Sequence, residues 1–199
     1  MFDNIYIVGI FIVIMELDKA INLRSSVRKF KSKMPDWRDI IEAVDYARKA
    51  PLAGNIPSVQ FILVDKPEII AKLAEASQQD FVADAHFAVV VCSDRKNVVR
   101  SYDERGEIYS RQQAGAAIEN FLLKITESGL STCWVGDFVD EQVKNILRIP
   151  ENIDVEGIFP IGYPFLKTAQ KRKPSLDRCL YFNKYGNNRM KPFVEVEAH

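Results

Sequence analysis

The sequence predicts an α+β fold, and three features of it carry that prediction. Phe87-Ala88-Val89-Val90-Val91-Cys92 is a continuous apolar run, the pattern of a central strand buried on both faces. Val59 to Val64, loosely alternating and rich in branched residues, and Glu156 to Ile161 read as two further strands. Between and around them lie stretches whose apolar residues recur at helical spacing, the longest from roughly Glu107 to Ser128. The chain has 199 residues, 47% hydrophobic and 27% charged, which suffices to bury a full core as one domain or one domain with extensions.

Taken in order, the chain opens on an apolar run from Ile5 to Ile14 with no basic residue before it and no small-residue cleavage site after it. It is too short for a bilayer, which takes about 20 residues, and lacks the charged flank of a signal peptide. Residues 1–14 therefore read as an extension that packs against the body or a second subunit. Glu16 to Ile21 starts a helix. Arg24-Ser25-Ser26-Val27-Arg28-Lys29-Phe30 then sets two guanidinium groups four residues apart with two hydroxyls between them. A dianionic phosphate suits such a site, because guanidinium forks meet its oxygens bidentately; a solvated basic turn is the other reading.

Asp36 reads as the N-cap of a helix running to about Ala50, with Trp37, Ile40, Ile41, Val44 and Ala47 on its buried face. Pro51 ends it and opens the small-residue turn Pro51-Leu52-Ala53-Gly54-Asn55, which lets backbone approach something flat. After the strand at 59–64, Pro67 starts a helix with Ile69, Ile70, Leu73 and Ala76 on its apolar side. Residues 94–111 are charged and poorly periodic. The long helix that follows carries Ala114, Ala117, Ile118, Phe121, Leu122 and Ile125 on one side and stops at Gly129. Gly115 inside it costs about 1 kcal/mol of helix stability, which a close helix–helix contact would repay. Gly129-Leu130-Ser131-Thr132-Cys133-Trp134-Val135-Gly136 is a helix exit and a short extended segment ending where a side chain would obstruct. Asp140 then caps a short helix with Val143, Ile146 and Leu147.

Composition excludes several classes. Lys+Arg and Asp+Glu both number 27, so no global field attracts nucleic acid or an anionic membrane. Cys92, Cys133 and Cys179 are odd in number and lie far apart, outside any disulfide framework or zinc spacing, which fits a reducing cytoplasm. A hydrolytic triad would have to use His86, which directly precedes the apolar run and reads as a structural histidine.

Five stretches, in the same order, resemble the nitroreductase family of FMN-dependent oxidoreductases: Arg24-Ser25-Ser26-Val27-Arg28; Ala50-Pro51-Leu52-Ala53-Gly54-Asn55; Gly115-Ala116-Ala117 with Asn120; Gly129 to Gly136; and Ile161-Gly162-Tyr163-Pro164 followed by Lys171-Arg172-Lys173. The resemblance spans residues 16 to about 190. It implies a mostly antiparallel sheet of four core strands flanked by helices, in a homodimer exchanging C-terminal arms. The chain then divides into residues 1–14, an FMN-binding domain 15–180, and an arm and tail 181–199.

The same resemblance implies site residues. Arg24, Ser25, Ser26 and Arg28 would hold the flavin phosphate, with Arg172 and Lys173 as a second arm. Pro51, Leu52 and Asn55 would lie against the ring, and the Val135 or Gly136 amide would face flavin N5. The family's usual Gln-Pro-Trp is replaced by Pro57-Ser58-Val59, so its glutamine contact is not carried over. The implied activity is hydride transfer from NAD(P)H through FMN to a nitroaromatic, quinone or similar small acceptor by a ping-pong route, with no metal, no catalytic side chain, no nucleic acid and no membrane. The alternatives are a specialised flavoenzyme of the same fold (a dehalogenase, a flavin-cleaving enzyme or an oxidase) and a flavin-storage protein. Tyr102 and Tyr109, in the family's mobile segment over the flavin, either line the substrate pocket or are surface aromatics.

Overall fold

A computed structural model describes residues 16–166 and 173–189. The extension at 1–14 and Arg172 lie outside them. The chain forms two compact units, 1–169 and 170–199. The first is built on β1 (Val59–Val64), β2 (Phe87–Ser93), β3 (Ser131–Thr132) and β4 (Asp154–Gly162), in the spatial order β1-β2-β4-β3 with every pair antiparallel. Among the described residues it also carries six α-helices: α1 (Leu17–Leu23), α2 (Trp37–Ala47), α3 (Pro67–Ser77), α4 (Lys96–Tyr102), α5 (Glu104–Glu127) and α6 (Asp140–Leu147).

The continuous apolar run is explained by helices on both faces. Val90 and Cys92 pack with Ile70 and Leu73 of α3, Val143 of α6 and Ile158 of β4. Val89 and Val91 point the other way, into Ile40 and Ala43 of α2, Ile118, Phe121 and Ile125 of α5, and Phe159 and Ile161 of β4. Successive side chains of a strand face opposite sides, so a central strand covered twice has no polar face to spare. Fully burying each such Val, Ile or Phe contributes about 1.5–3 kcal/mol. Where β2 pairs with β4 the register jumps between Val91↔Gly157 and Cys92↔Val155. Glu156 is therefore a bulge residue, and its Oε2 accepts from Arg111 Nη1 at 3.1 Å.

Asp36 caps α2 as expected, its carboxylate accepting from the Arg38 amide at 2.9 Å. The buried face differs from the expected one. Ile40, Ala43 and Ala47 are inside, while Trp37 and Ile41 are 53% and 47% exposed, because the face is a narrow stripe and their positions lie off it. The helix ends at Ala47, and 47–50 tighten into a turn closed by the Ala50 amide on the Ala47 carbonyl. The poorly periodic segment 94–111 is helical from Lys96 onward, with α4 meeting α5 at Asp103 (φ +49°), so that α5 starts at Glu104 rather than near Glu107. Of α4 only Val98 is buried, so no periodicity betrays it. At this corner Gly106 sits so close to α4 that a Cβ there would fall 2.7 Å from the Val98 carbonyl oxygen. At Gly115, by contrast, a Cβ would meet nothing within 4 Å among the described residues, so no close contact among them repays that glycine.

In the second unit, Leu176–Arg178 forms a 3₁₀ turn. A loop after it is closed by the Phe182 amide on the Asn187 carbonyl at 2.7 Å, with the Tyr181 and Tyr185 rings 4.8 Å apart.

Candidate functional site

Residues 24–31 leave α1 as a strap pinned along the β3 side of the sheet. The Val27 amide donates to the Thr132 carbonyl at 3.0 Å, the Lys31 amide to Tyr163 at 2.9 Å, and the Phe165 amide to Lys29 at 3.0 Å. Val27 is buried, so the strap has one side in the core and the other outside. Phe30 lies on Gly162, where a Cβ would come within 2.8 Å of its ring; glycine is what lets the strap dock.

The strap, β3 and α5 enclose a cleft of about 210 Å³ lined by Arg24, Ser25, Ser26, Thr132, Trp134, Glu119, Leu122 and Thr126. Arg24 Nε stands 3.7 Å from Glu119 Oε1 across it. The Thr132 hydroxyl, on a residue only 5% exposed, has no hydrogen-bond partner among the described residues. An orphaned buried hydroxyl costs about 1–3 kcal/mol, so a partner outside the described residues, a water or ligand included, is favoured there. Arg28 points elsewhere, its guanidinium 5.7 Å from the centre of the Phe81 ring, and among the described residues no carboxylate lies within 4.0 Å of it. A second hollow of about 220 Å³ runs along Ser26, Val27, Arg28, Lys29, Phe165 and Leu166. Arg24, Ser25 and Ser26 on the strap and Thr132 on β3 bring a guanidinium and three hydroxyls to one cleft, groups of the kind that a phosphate ester takes.

Of the two amides singled out in the sequence, that of Val135 donates to the Ile158 carbonyl at 3.0 Å and is returned a bond of the same length. It is spent in the sheet, and Gly136 presents the unengaged amide. A Cβ at Gly136 would meet only Trp134 Nε1, at 4.0 Å, so the space beside it is open. Lys173 belongs to the second unit.

The turn at 51–55 carries two consecutive left-handed residues, Gly54 and Asn55, both at φ +57°, the residue types that adopt that region most readily. It is held from α5. Gln113, 3% exposed, accepts the Ala53 amide at 2.8 Å and donates from Nε2 to the Ile56 carbonyl at 3.2 Å and the Ser58 hydroxyl at 2.7 Å. Tyr102 covers the turn so closely that a Cβ on Gly54 would fall 2.5 Å from its hydroxyl, and Tyr109 meets the Tyr102 ring edge-on at 5.2 Å. Within one chain the turn and the strap sit at different levels of α5. Gln113 and Glu119 are six residues apart, about 9 Å along the axis.

Gln113 and Thr132 are functional candidates that the motifs did not yield. Gln113 had a signal: it falls on the α5 stripe with Ser110, Ala114, Ala117 and Phe121, where a polar side chain must find partners. Thr132 had none beyond its motif.

The cysteines and histidine are framework. Burial pushes the Cys92 thiol up to about 11 and raises that of Cys133 against the lowering pull of Arg28, so both stay protonated and unreactive at neutral pH. His86 Nε2 is 2.9 Å from the Ser32 carbonyl. A larger hollow of about 300 Å³ between α1, α2 and α5 is lined by Leu17, Tyr46 and Lys124. Its two cations are already paired, Lys124 with Glu42 and Glu127 at 2.9 and 2.6 Å and Lys49 with Asp45 at 3.0 Å. Among the described residues no cluster suits a metal ion, and no helix is long and apolar enough to cross a membrane.

The antiparallel four-stranded sheet, with helices on both faces, a basic strap pinned beside β3 and a left-handed turn held from α5, defines an α+β protein. The family model "Nitroreductase family" matches residues 21–82 and 75–163, and the chain belongs to that family. A relative from Archaeoglobus fulgidus, provisionally designated an NADH dehydrogenase/NAD(P)H nitroreductase, is 33% identical over 151 residues, which is 73% of this chain and 84% of the relative. The iodotyrosine deiodinase of Thermotoga neapolitana is 24% identical over 157 residues, 71% of this chain and 84% of that one. The solved NADPH:FMN oxidoreductase of Vibrio harveyi, complexed with NAD+, superposes with a TM-score of 0.76 at 20% identity, over 85% of this chain and 77% of its own, and shares the fold.

Proposed function

We propose that the protein is an FMN-dependent NAD(P)H oxidoreductase acting on a small acceptor such as a nitroaromatic or quinone. The observation that carries this reading is the strap cleft, where Arg24, Ser25 and Ser26 face the orphaned Thr132 hydroxyl. In this reading Arg24, Ser25, Ser26 and Arg28 hold the phosphate, and Arg172 with Lys173 supplies a second cationic arm. The Gly136 amide donates toward the ring, and Pro51, Leu52 and Asn55 lie along it. When bound, FMN supplies the two-electron chemistry, taking hydride from the nicotinamide and passing it to the acceptor.

The chain's own work is to bind, orient and keep one ring face open to two substrates in turn, a ping-pong order. No side chain has to move a proton at the reacting atom, which agrees with the protonated, buried state of Cys92 and Cys133. The open space over Gly115 and the exposed Trp37 and Ile41 favour a homodimer, with the residues from 181 onward as an exchanged arm and the site completed between subunits. The likeness to an iodotyrosine deiodinase favours reductive dehalogenation as the second reading. We place the protein in the cytoplasm.

The test is ligand discrimination. Arg24→Ala, which empties the cleft of its guanidinium, is expected to weaken FMN far more than riboflavin; equal loss of both flavins would overturn the phosphate assignment.

A further inference from the structure

We propose that Gln113 is the positioning residue through which α5 fixes the 51–55 turn against the flavin ring, so that it tunes the flavin's reactivity without touching it. The inference rests on the flavin reading above and adds to it a residue that no motif marks.

Gln113 spends every polar atom of its side chain on this turn and its exit. Oε1 takes the Ala53 amide, and Nε2 divides between the Ile56 carbonyl and the Ser58 hydroxyl. The bonds bracket Gly54 and Asn55, the two residues at positive φ. Ser58 is itself buried, and its carbonyl accepts the Asp94 amide at 2.7 Å, so the exit of the turn is tied to the end of β2 as well. Tyr102 closes the other side over Gly54.

A backbone with two left-handed residues in succession has to be held by its surroundings. Here the grip is one amide side chain projecting from the middle of rigid α5. The turn's own internal bonds are two, the Asn55 amide on Leu52 at 3.2 Å and the Ile56 amide on Ala53 at 3.1 Å, and neither fixes the Ala53 amide. Without Gln113 that amide is freed and the peptide at 52–53 can turn, which moves the face offered to a ring. Supporting groups of this kind set the reactivity of a site while making no contact with the reacting atoms.

The experiment compares the wild-type holoprotein with Gln113→Leu and Gln113→Glu. In Gln113→Leu, FMN and riboflavin affinities are expected to fall by the same factor, about tenfold, the size of effect that follows from freeing a buried amide. The visible circular dichroism and midpoint potential of the bound flavin are expected to shift, and the rate of flavin reduction at saturating FMN to fall about tenfold. Gln113→Glu keeps the acceptor for the Ala53 amide and is expected to lie between Gln113→Leu and wild type in all three, which gives a reading even if the leucine variant folds poorly. Folded, FMN-loaded variants with wild-type spectrum, potential and reduction rate, changed only in melting temperature, would overturn the inference and leave the flavin reading standing. A wild-type protein that takes up no flavin would overturn the flavin reading and this inference with it.

Discussion

Thr132→Val separates a residue kept for a ligand from one kept for the fold. The substitution replaces a hydroxyl with a methyl of similar size in a residue that is 5% exposed and whose hydroxyl has no partner among the described residues. Desolvating an unsatisfied hydroxyl costs about 1–3 kcal/mol, and the backbone bond that the Thr132 carbonyl accepts from Val27 is untouched. The apoprotein is therefore expected to become more stable by about 1 kcal/mol, taking the low end because the cleft admits some water. FMN is expected to bind more weakly by a similar amount, about fivefold to tenfold, since a hydrogen bond to a charged acceptor is lost, while riboflavin is nearly unaffected. Urea unfolding of the apoprotein and fluorescence titration with the two flavins read these quantities. An apoprotein destabilised by the change, together with unaltered FMN binding, would refute the argument that the hydroxyl waits for a ligand.

Three further expectations follow from the same geometry. Gly162→Ala pushes a methyl into Phe30, 2.8 Å away; it is expected to cost about 1–3 kcal/mol by overpacking and to weaken FMN by loosening the strap, as thermal melting with and without FMN would show. Burial holds the folded Cys92 thiol at about 11, above its unfolded value. The folded state then keeps a proton that the unfolded chain loses, so stability is full below about pH 9 and falls as pH rises toward 11, by roughly 2–3 kcal/mol. Denaturation at pH 8 and pH 10.5 should show a loss, and Cys92→Ala should remove its share of it, leaving the part owed to Cys133 and Lys124, whose folded pKa values are also raised. Cys133→Ser should leave most of the hydride-transfer rate intact, since the buried thiol is a framework group; loss of the rate in a folded, FMN-loaded variant would return Cys133 to the chemistry.

The sequence made legible those parts whose physics is local or doubly enforced. β2 is readable because cover on both faces leaves no polar position, and α2 because Asp36 signals its start. The motif glycines are readable where backbone geometry demands them, as at Gly54 and Gly162. What escaped depends on partners distant in sequence. Trp37 and Ile41 sit at helical spacing yet outside the buried stripe; α4 buries one residue; β3 is two residues long and exists because β4 pairs with it. The choice between Val135 and Gly136 turns on a bond to Ile158, and the role of Gln113 on contacts 55 to 60 residues away.

The central claim is that a nicotinamide reduces a flavin held by this chain. Anaerobic stopped-flow mixing of the FMN-loaded protein with NADH and with NADPH tests it most directly. At least one of the two is expected to bleach the flavin absorbance, and a quinone or nitroaromatic added afterwards to restore it; a flavin that stays oxidised with both would contradict the proposed activity.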